Sequence, residues 1–289
     1  MSAAEAVSQE PPLAMICGGG SLPLSVADSV AARGRKVLLF PLRGFAKPAD
    51  FAGREHRWVH LGQFGTVARI ARDNGCRDIV CLGSVVRPSL WQLRPDLFTL
   101  KVLPQVAKAF RGGDNHLLTS VGRVIESYGF RFLGAQEVAP EILVRQGTLG
   151  RAVPSERDRA DMALGFDYLG AAGPFDVGQA VVVANRHVLA VEAAEGTDQM
   201  LARVAQLRAS GRIRASGAGV LVKAAKPKQD RRFDLPSIGP STIEGAARAG
   251  LAGVAVAAGE TVIAEPERLV AAADAAGIFV IGEPAGISQ

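Results

Sequence analysis

Short apolar runs alternate with helical stretches that end in glycine, and this alternation restricts the fold more than any other feature of the sequence. The runs "LAMIC", "KVLLFPL" and "DIVCLGS" predict strands, and the stretches between them predict helices over residues 22–32 and 66–74. This order of strands and helices indicates a parallel sheet with helical crossovers. A further helix is expected from Asp114 or Asn115 to Gly129, followed by a strand in "FRFLGAQEV".

The second half of the chain has a different pattern, which indicates a second domain with a mixed α/β fold. "QAVVVANRHVLAVEA" predicts a hairpin that turns at Asn185 and Arg186, "EGTDQMLARVAQLR" predicts a helix and "GAGVLVK" another strand. Ser241 and Glu244 have the spacing of a capping box, so we expect a helix to begin there. "AGVAVAAG", a helix over residues 266–276 and "IFVIG" complete the pattern. The predicted parts are a disordered tail (1–11), an N-terminal domain (12–139), an interdomain linker region (140–154) and a C-terminal α/β domain (155–285).

Composition excludes several classes of protein. A chain of 289 residues is long enough for two domains. The net charge of +5 suits an anionic ligand, but we expect no nucleic-acid binding because no basic stripe is concentrated and stacking aromatics are few. The N-terminus lacks the basic region of a signal peptide, and glycines and a proline break the longest uncharged run. Three cysteines without metal-type spacing predict buried free thiols in a reducing compartment, so we expect a cytoplasmic protein.

The glycine-rich segment "GGGSLP" is the first candidate for ligand binding. It follows a predicted strand and precedes a helix, an arrangement in which backbone N–H groups approach a phosphate. We expect no nicotinamide cofactor, because Pro23 replaces the third glycine of the dinucleotide fingerprint and no acidic residue ends "KVLLFPL". A tight turn without a ligand is the alternative. The histidines lack zinc-binding spacing and no nucleophile elbow is present, so neither zinc nor covalent catalysis is predicted.

The second candidate is the charged stretch "KAAKPKQDRRFDLPSIGP", residues 223–240, in which seven of eighteen residues are charged. Lys223 ends a predicted strand, where side chains of parallel sheets project into ligand crevices. Basic side chains there suit phosphate oxygens, and Asp230 and Asp234 suit a hard divalent cation. A solvated loop is the alternative, but Pro227 and Pro236 fix the path of the chain and favour a site.

The charged stretch resembles the signature K-x-x-K-P-x-Q-[DE]-x-R-x-D-x-P-x-x-G of UDP-2,3-diacylglucosamine pyrophosphatases of the LpxI type. The segments "GGGSLP", "GDN", "DVGQ" and "VEAAEGTD" are similar to further segments of that family, and the resemblance covers residues 13–282. One departure is Asn115, where an acidic residue is common, and this weakens a metal role for "GDN".

The resemblance implies an activity in lipid A biosynthesis. Water would split the pyrophosphate of UDP-2,3-diacylglucosamine into 2,3-diacylglucosamine 1-phosphate (lipid X) and UMP, assisted by Mg²⁺. It also implies a Rossmann-like N-terminal domain, a catalytic C-terminal domain and a ligand held between them. The protein would act at the cytoplasmic face of the inner membrane of a Gram-negative bacterium, as a peripheral protein and possible homodimer.

The family's essential aspartate falls on Asp234, which we predict to be catalytic and to bind Mg²⁺. Asp230 is the second predicted catalytic residue, and whether it or Asp114 assists Asp234 is left open. The predicted substrate-binding residues are Gly18, Gly19, Gly20, Ser21, Leu22, Gly83, Ser84, Val85, Asp114, Thr197, Lys223, Lys226, Gln229 and Arg232. Two other functions stay possible at this point: a lipid- or nucleotide-binding protein without catalysis, and a nucleotide-dependent transferase.

Overall fold

The chain divides into two compact units, Met1–Pro140 and Glu141–Gln289, and each contains its own sheet. The computed structural model describes residues 10–85, 94–96, 99, 114–175, 177–213, 219–226, 231–232 and 235–284, with residues 114–119 as helical backbone only. Within these residues no helix is long and apolar enough to cross a membrane.

The first unit is built on a four-stranded parallel sheet. Its strands are β1 (Leu13–Cys17), β2 (Val37–Pro41), β3 (Asp78–Leu82) and β4 (Arg131–Leu133), and its helices are α1 (Leu22–Ala32), α2 (Phe64–Asp73), α3 (Asp114–Ser127) and α4 (Ala135–Val138). The order across the sheet is β2-β1-β3-β4. The predicted parallel sheet is therefore confirmed.

The order of these strands determines where a ligand can bind to the first unit. The chain passes from β1 to β2 on one side and then places β3 on the other side of β1. The connections therefore diverge at the carboxyl ends of β1 and β3, the topological switch point where open α/β sheets bind ligands. Strand β1 is buried along its whole length, as expected for a central parallel strand covered on both faces.

A buried ion cluster holds the opposite, amino-terminal edge of the same sheet. The Asp78 side chain is 1% exposed and accepts hydrogen bonds from Arg131 Nε at 2.7 Å and from the Arg35 guanidinium. Burial alone raises the pKa of Asp78, but the hydrogen bonds from Arg131 and Arg35 outweigh it, so the pKa lies below its ordinary value. Arg35 also contacts Glu10 and the carbonyl oxygen of Pro11, which belong to the predicted tail.

The second unit contains a mixed six-stranded sheet in the order β5-β12-β10-β8-β6-β7 and a two-stranded sheet of β9 and β11. Its strands are β5 (Gly147–Thr148), β6 (Ala180–Ala184), β7 (His187–Val191), β8 (Val220–Lys223), β9 (Ser237–Ile238), β10 (Gly253–Ala258), β11 (Val262–Ile263) and β12 (Phe279–Pro284). Its helices are α5 (Glu156–Ala172), α6 (Gly196–Ala209), α7 (Pro240–Arg248) and α8 (Pro266–Ala276). The predicted mixed α/β domain is confirmed.

Side-chain alternation along the central strands builds a core on each face of this sheet. Val220 and Val222 of β8 pack with Met162 of α5 on one face. Leu221 packs with Met200 of α6 on the other, in the cluster that α7 and α8 also join. Because successive side chains of a strand point to opposite faces, Lys223 falls on the α6 face, next in line after Leu221.

The hairpin predicted at Asn185 and Arg186 is confirmed, and a buried carboxylate holds its turn. Both residues have positive φ, 52° and 59°. Their N–H groups donate to the two oxygens of Asp161 on α5, at 3.0 and 2.6 Å, and the carboxylate thereby pairs with donors that the turn leaves unused.

Several predictions about local structure are wrong. Helix α7 begins at Pro240 with Gly239 as its N-cap, and not at a capping box of Ser241 and Glu244. A proline at the first helical position fits that start because its missing N–H has no intrahelical partner there. Only Arg131–Leu133 of "FRFLGAQEV" is a strand, and a helical turn follows. Of the cysteines, Cys81 is only half-buried.

Residues 140–154, predicted as a passage between domains, contain strand β5, which pairs antiparallel with β12. Helix α5, which follows, has no counterpart among the predicted elements. Its apolar pattern is weak, since the buried face combines Met162 and Leu169 with Asp161 and Gly165. A Cβ at Gly165 would lie 2.5 Å from a methyl group of Val222, so glycine lets this helix lie close against β8.

Candidate active site

Two loops meet at the switch point of the first unit, as their positions at the ends of β1 and β3 predict. Gly19 and Ser84 donate backbone hydrogen bonds to each other, at 2.8 and 2.9 Å. The Gly18 N–H adds a bond of 2.7 Å to Leu82. The predicted ligand-binding segments 18–22 and 83–85 therefore form one continuous surface, of which Gly20, Ser21, Ser84 and Val85 are exposed.

Glycine is needed at this junction because the two backbones lie in contact. A Cβ at Gly18 would lie 2.6 Å from the Ser84 carbonyl oxygen. Gly83 has φ +90°, and a Cβ there would lie 2.6 Å from the Gly19 carbonyl oxygen and 2.8 Å from the Pro23 ring. Side chains are thus excluded at Gly18 and Gly83. The N–H groups of Gly18, Gly19 and Ser84 are already bonded between the two loops, so the part suited to a phosphate is the exposed start of helix α1, at Gly20 and Ser21.

In the second unit, Lys223 is a buried cation at the carboxyl end of β8. The residue is 6% exposed, and its ammonium group donates to Thr197 Oγ1 at 2.9 Å and to the Ser237 carbonyl oxygen at 3.0 Å. Burial of an ammonium group is costly unless hydrogen bonds replace its water. These bonds join β8 to the start of α6 and to β9, so three elements converge on one positive charge.

Glu192 extends this arrangement and was missed by the sequence predictions. Its carboxylate accepts a hydrogen bond of 2.7 Å from the Thr197 hydroxyl and one of 2.8 Å from the Gln179 N–H. The Thr197 hydroxyl therefore accepts a hydrogen bond from the Lys223 ammonium and donates one to the Glu192 carboxylate. Glu192 lies in "VEAAEGTD" and Gln179 in "DVGQ", two of the segments that carry the family resemblance. The resemblance therefore pointed to these segments, but the sequence analysis gave neither residue a role.

The charged stretch is tied to the core on its carboxyl side. Arg231 forms an ion pair of 2.7 Å with Glu260, in the turn after β10. Val262 donates to the Pro236 carbonyl oxygen at 2.8 Å, and β9 then pairs parallel with β11. Helix α7 starts directly after β9. Arg231 and residues 236–240 are therefore held against the core by these contacts.

Several of the predicted site residues have no described position in the structure. Asp230, Asp234 and Gln229 lie outside the residues that the structure describes, and Asp114 is described only as the first residue of helix α3. Lys226 and Arg232 are described and half-buried. The structure brings together Lys223 and Thr197 in one unit and the two glycine loops in the other.

No group of three or more His, Cys, Asp or Glu side chains in the described part of the chain has the geometry of a metal site. The carboxylates predicted to hold Mg²⁺ are outside that part. The described thiols do not supply a nucleophile either, since burial raises the pKa of Cys17 to about 12 and keeps it protonated.

Comparison with known proteins assigns both halves of the chain to one family. The LpxI N-terminal domain matches residues 12–142, and the LpxI C-terminal domain matches residues 145–281. A curated relative, the UDP-2,3-diacylglucosamine pyrophosphatase LpxI of Caulobacter vibrioides, is 44% identical over 274 residues, which are 93% of this chain and 96% of the relative. Among solved structures, the UDP-glucose 4-epimerase of Thermus thermophilus in complex with NAD aligns with 94% of this chain and 86% of its own, at 14% identity and a TM-score of 0.29. That likeness is too distant to inform either fold or ligand.

Proposed function

The chain belongs to the LpxI family, and we propose that it hydrolyses the pyrophosphate bond of UDP-2,3-diacylglucosamine in lipid A biosynthesis. Water adds across the P–O–P linkage, and the products are 2,3-diacylglucosamine 1-phosphate and UMP. The observation that carries the proposal is the 44% identity, over 93% of this chain, to a UDP-2,3-diacylglucosamine pyrophosphatase. The buried cation and the glycine loops support it, because both are suited to phosphate groups.

Lys223 is proposed to stabilise negative charge on the substrate's phosphates. Its ammonium is held by hydrogen bonds to the Thr197 hydroxyl and to the Ser237 carbonyl oxygen. A positive charge held in place before the reaction needs no reorganisation as charge develops, which is how electrostatic catalysis lowers a barrier. Lys226, Gln229 and Arg232 are proposed to add phosphate contacts from the same stretch.

Asp234 is proposed as the essential carboxylate, with Asp230 or Asp114 as its helper. Mg²⁺ bound at Asp234 would neutralise pyrophosphate charge and help to activate water. The described residues contain no cluster that tests this metal site, so the roles assigned above to Lys223 do not depend on it. Attachment to the cytoplasmic face of the inner membrane and a homodimer are further proposals that follow from the family resemblance.

The test is release of UMP by purified protein, measured by chromatography, with UDP-2,3-diacylglucosamine and with or without EDTA. Asp234→Asn and Asp230→Asn are compared with Asp73→Asn, an exposed carboxylate on α2. We expect Asp234→Asn to abolish turnover while keeping the fold and substrate binding, and EDTA to abolish turnover by the unmodified protein. Near-normal turnover by Asp234→Asn would remove Asp234 from the mechanism, and tight binding without any turnover would favour a carrier.

A further inference from the structure

A group of cationic and aromatic side chains lies at the carboxyl end of β2, and we name Arg43, Trp58, His60 and Arg94 the β2-end cluster. The segment that contains Trp58 and His60 runs along the end of this strand, since Val59 donates to the Pro41 carbonyl oxygen at 3.1 Å. The Arg43 N–H then donates to the Val59 carbonyl oxygen at 2.9 Å. Arg43 is therefore fixed one residue away from His60.

Arg94 is fixed on the other side of His60. Its N–H donates to the Leu61 carbonyl oxygen at 3.1 Å, and the Asp96 N–H donates to Gly62 at 3.3 Å. The Asp96 carboxylate accepts four hydrogen bonds, from the N–H and hydroxyl groups of Thr66 and of Thr99, at 2.8 to 3.3 Å. The two arginines thus bracket His60 through backbone bonds that do not depend on their side chains.

Trp58 holds one of these arginines in place. The Arg43 guanidinium lies 5.6 Å from the centre of the Trp58 ring, within the range of a cation–π contact. The ring is in turn fixed edge-on against Phe51 and His56, each with its ring centre 5.8 Å away. Arg43 therefore loses less conformational freedom on binding a ligand than a free surface arginine.

The cluster concentrates positive charge that no described carboxylate neutralises. Neither Arg43 nor Arg94 forms an ion pair within the part of the chain that the structure describes. The pKa of His60 is lowered by burial and, after that, by the positive charges of Arg94 and Arg43. Asp96, two residues from Arg94, directs its oxygens to the four hydrogen bonds from Thr66 and Thr99 and forms no ion pair with Arg94.

The cluster lies on the edge of the sheet that carries the glycine loop. Leu42 donates to the Cys17 carbonyl oxygen at 2.9 Å, which extends the pairing of β1 and β2 up to the loop. The Phe45 carbonyl oxygen lies 3.1 Å from the position that a Cβ on Gly19 would occupy. A ligand that contacts the glycine loop at the switch point is therefore close to this positive charge.

We propose that Arg43, His60 and Arg94 bind the phosphate end of a nucleotide, which in the proposed reaction is UMP. The paired nitrogen atoms of a guanidinium match phosphate oxygens geometrically, and the charge comes from two arginines that form no ion pair with a described carboxylate. The choice of UMP depends on the proposed function, whereas the anion site itself depends only on the contacts described here.

The test is titration calorimetry on the full-length protein, with UMP, uridine and inorganic phosphate as separate probes and EDTA present throughout. The variants are Arg43→Ala, Arg94→Ala and the double variant. Arg57→Ala is the matched control, because it removes the same charge from an exposed position between His56 and Trp58. Circular dichroism and thermal unfolding establish that each variant is folded.

We expect Arg43→Ala and Arg94→Ala each to weaken UMP binding about tenfold to a hundredfold, the usual loss for a hydrogen bond to a charged group. Weak uridine binding should be unchanged, as should UMP binding by Arg57→Ala. The proposal is overturned by unaltered UMP affinity in the double variant, by an equal loss in Arg57→Ala, or by the absence of UMP binding to the unmodified protein. Inorganic phosphate that binds as tightly as UMP would also overturn it, since the site would then not be a nucleotide site. None of these measurements needs turnover, so failure of the proposed hydrolysis is observed separately.

Discussion

The Lys223 ammonium and the Thr197 hydroxyl are joined by a hydrogen bond of 2.9 Å, and the same hydroxyl donates to Glu192. One hydroxyl group therefore links a buried cation to a carboxylate. Thr197→Val keeps the shape of the side chain and removes both interactions. We expect the free energy of unfolding to fall by about 1–3 kcal/mol, the cost of leaving buried polar groups unpaired. Urea unfolding measures this loss.

Thr197→Ser is the matched control, because it keeps the hydroxyl and loses only a methyl group. If Thr197 positions Lys223 for substrate, kcat for UMP release should fall in Thr197→Val and be largely restored in Thr197→Ser. Equal stability and equal turnover in the two variants would show that the hydroxyl has no role.

The contact between Gly83 and Gly19 predicts that the first unit tolerates no side chain at position 83. Gly83→Ala adds a Cβ at positive φ and within 2.6 Å of a carbonyl oxygen. We expect a loss of about 2–4 kcal/mol in the free energy of unfolding, from left-handed strain and overpacking together. UMP release should also fall, because the two loops must separate. Thermal and urea unfolding provide the measurement.

Gly75→Ala separates the two causes of this loss. Gly75 has φ +75°, but a Cβ there would contact nothing within 4 Å. We therefore expect about 1 kcal/mol from backbone strain alone, with turnover unchanged. If Gly75→Ala and Gly83→Ala lower the free energy of unfolding equally, the close approach of the two loops at Gly83 does not contribute to the cost of the added Cβ.

The lowered pKa of Asp78 predicts a loss of stability in acid. A carboxyl group whose pKa is lower in the folded state than in the unfolded chain stabilises the fold above its unfolded value. For an aspartate that value is about 3.9, and the stabilisation is lost as pH falls from there through the folded pKa. Asp78→Asn should remove this part of the pH dependence. It should also cost about 3 kcal/mol at neutral pH, because Arg35 stays buried, loses its buried partner charge and keeps only the exposed Glu10.

Urea unfolding at a series of pH values between neutral and strongly acidic measures the effect of Asp78. Asp73→Asn is the control, since the Asp73 side chain is exposed and forms only a long ion pair with Arg69. We expect its curve to parallel that of the unmodified protein. A curve for Asp78→Asn that keeps the full acid slope would contradict the assignment.

The sequence predicts contacts that follow from strand order and does not predict those that depend on loop packing. Segments 18–22 and 83–85 could be paired in advance, because neighbouring parallel strands bring their carboxyl ends to one edge. Lys223 was also predicted as a site residue, since it ends an apolar run. Glu192, which Thr197 links to Lys223, was not predicted, because that link requires knowing how β7, α6 and β8 pack together.

The β2-end cluster shows the same limit in the first unit. Arg43, His60 and Arg94 come from three separate segments with no strand or helix pattern, so nothing in their spacing indicates that they meet. Helix α5 was missed for a different reason: a polar residue and a glycine occupy half of its buried face. The start of α7 was misplaced because Ser241 and Glu244 match a capping box, whereas Pro240 and Gly239 determine the actual start.

The exchange of hydrogen bonds between Gly19 and Ser84 has a consequence for binding kinetics. Because each backbone restrains the other, the two loops cannot fluctuate separately, and whatever contacts one loop also orders the second. The first contact of a ligand with either loop therefore bears the entropic cost of ordering both loops. Later contacts of the same ligand are made with loops that are already ordered.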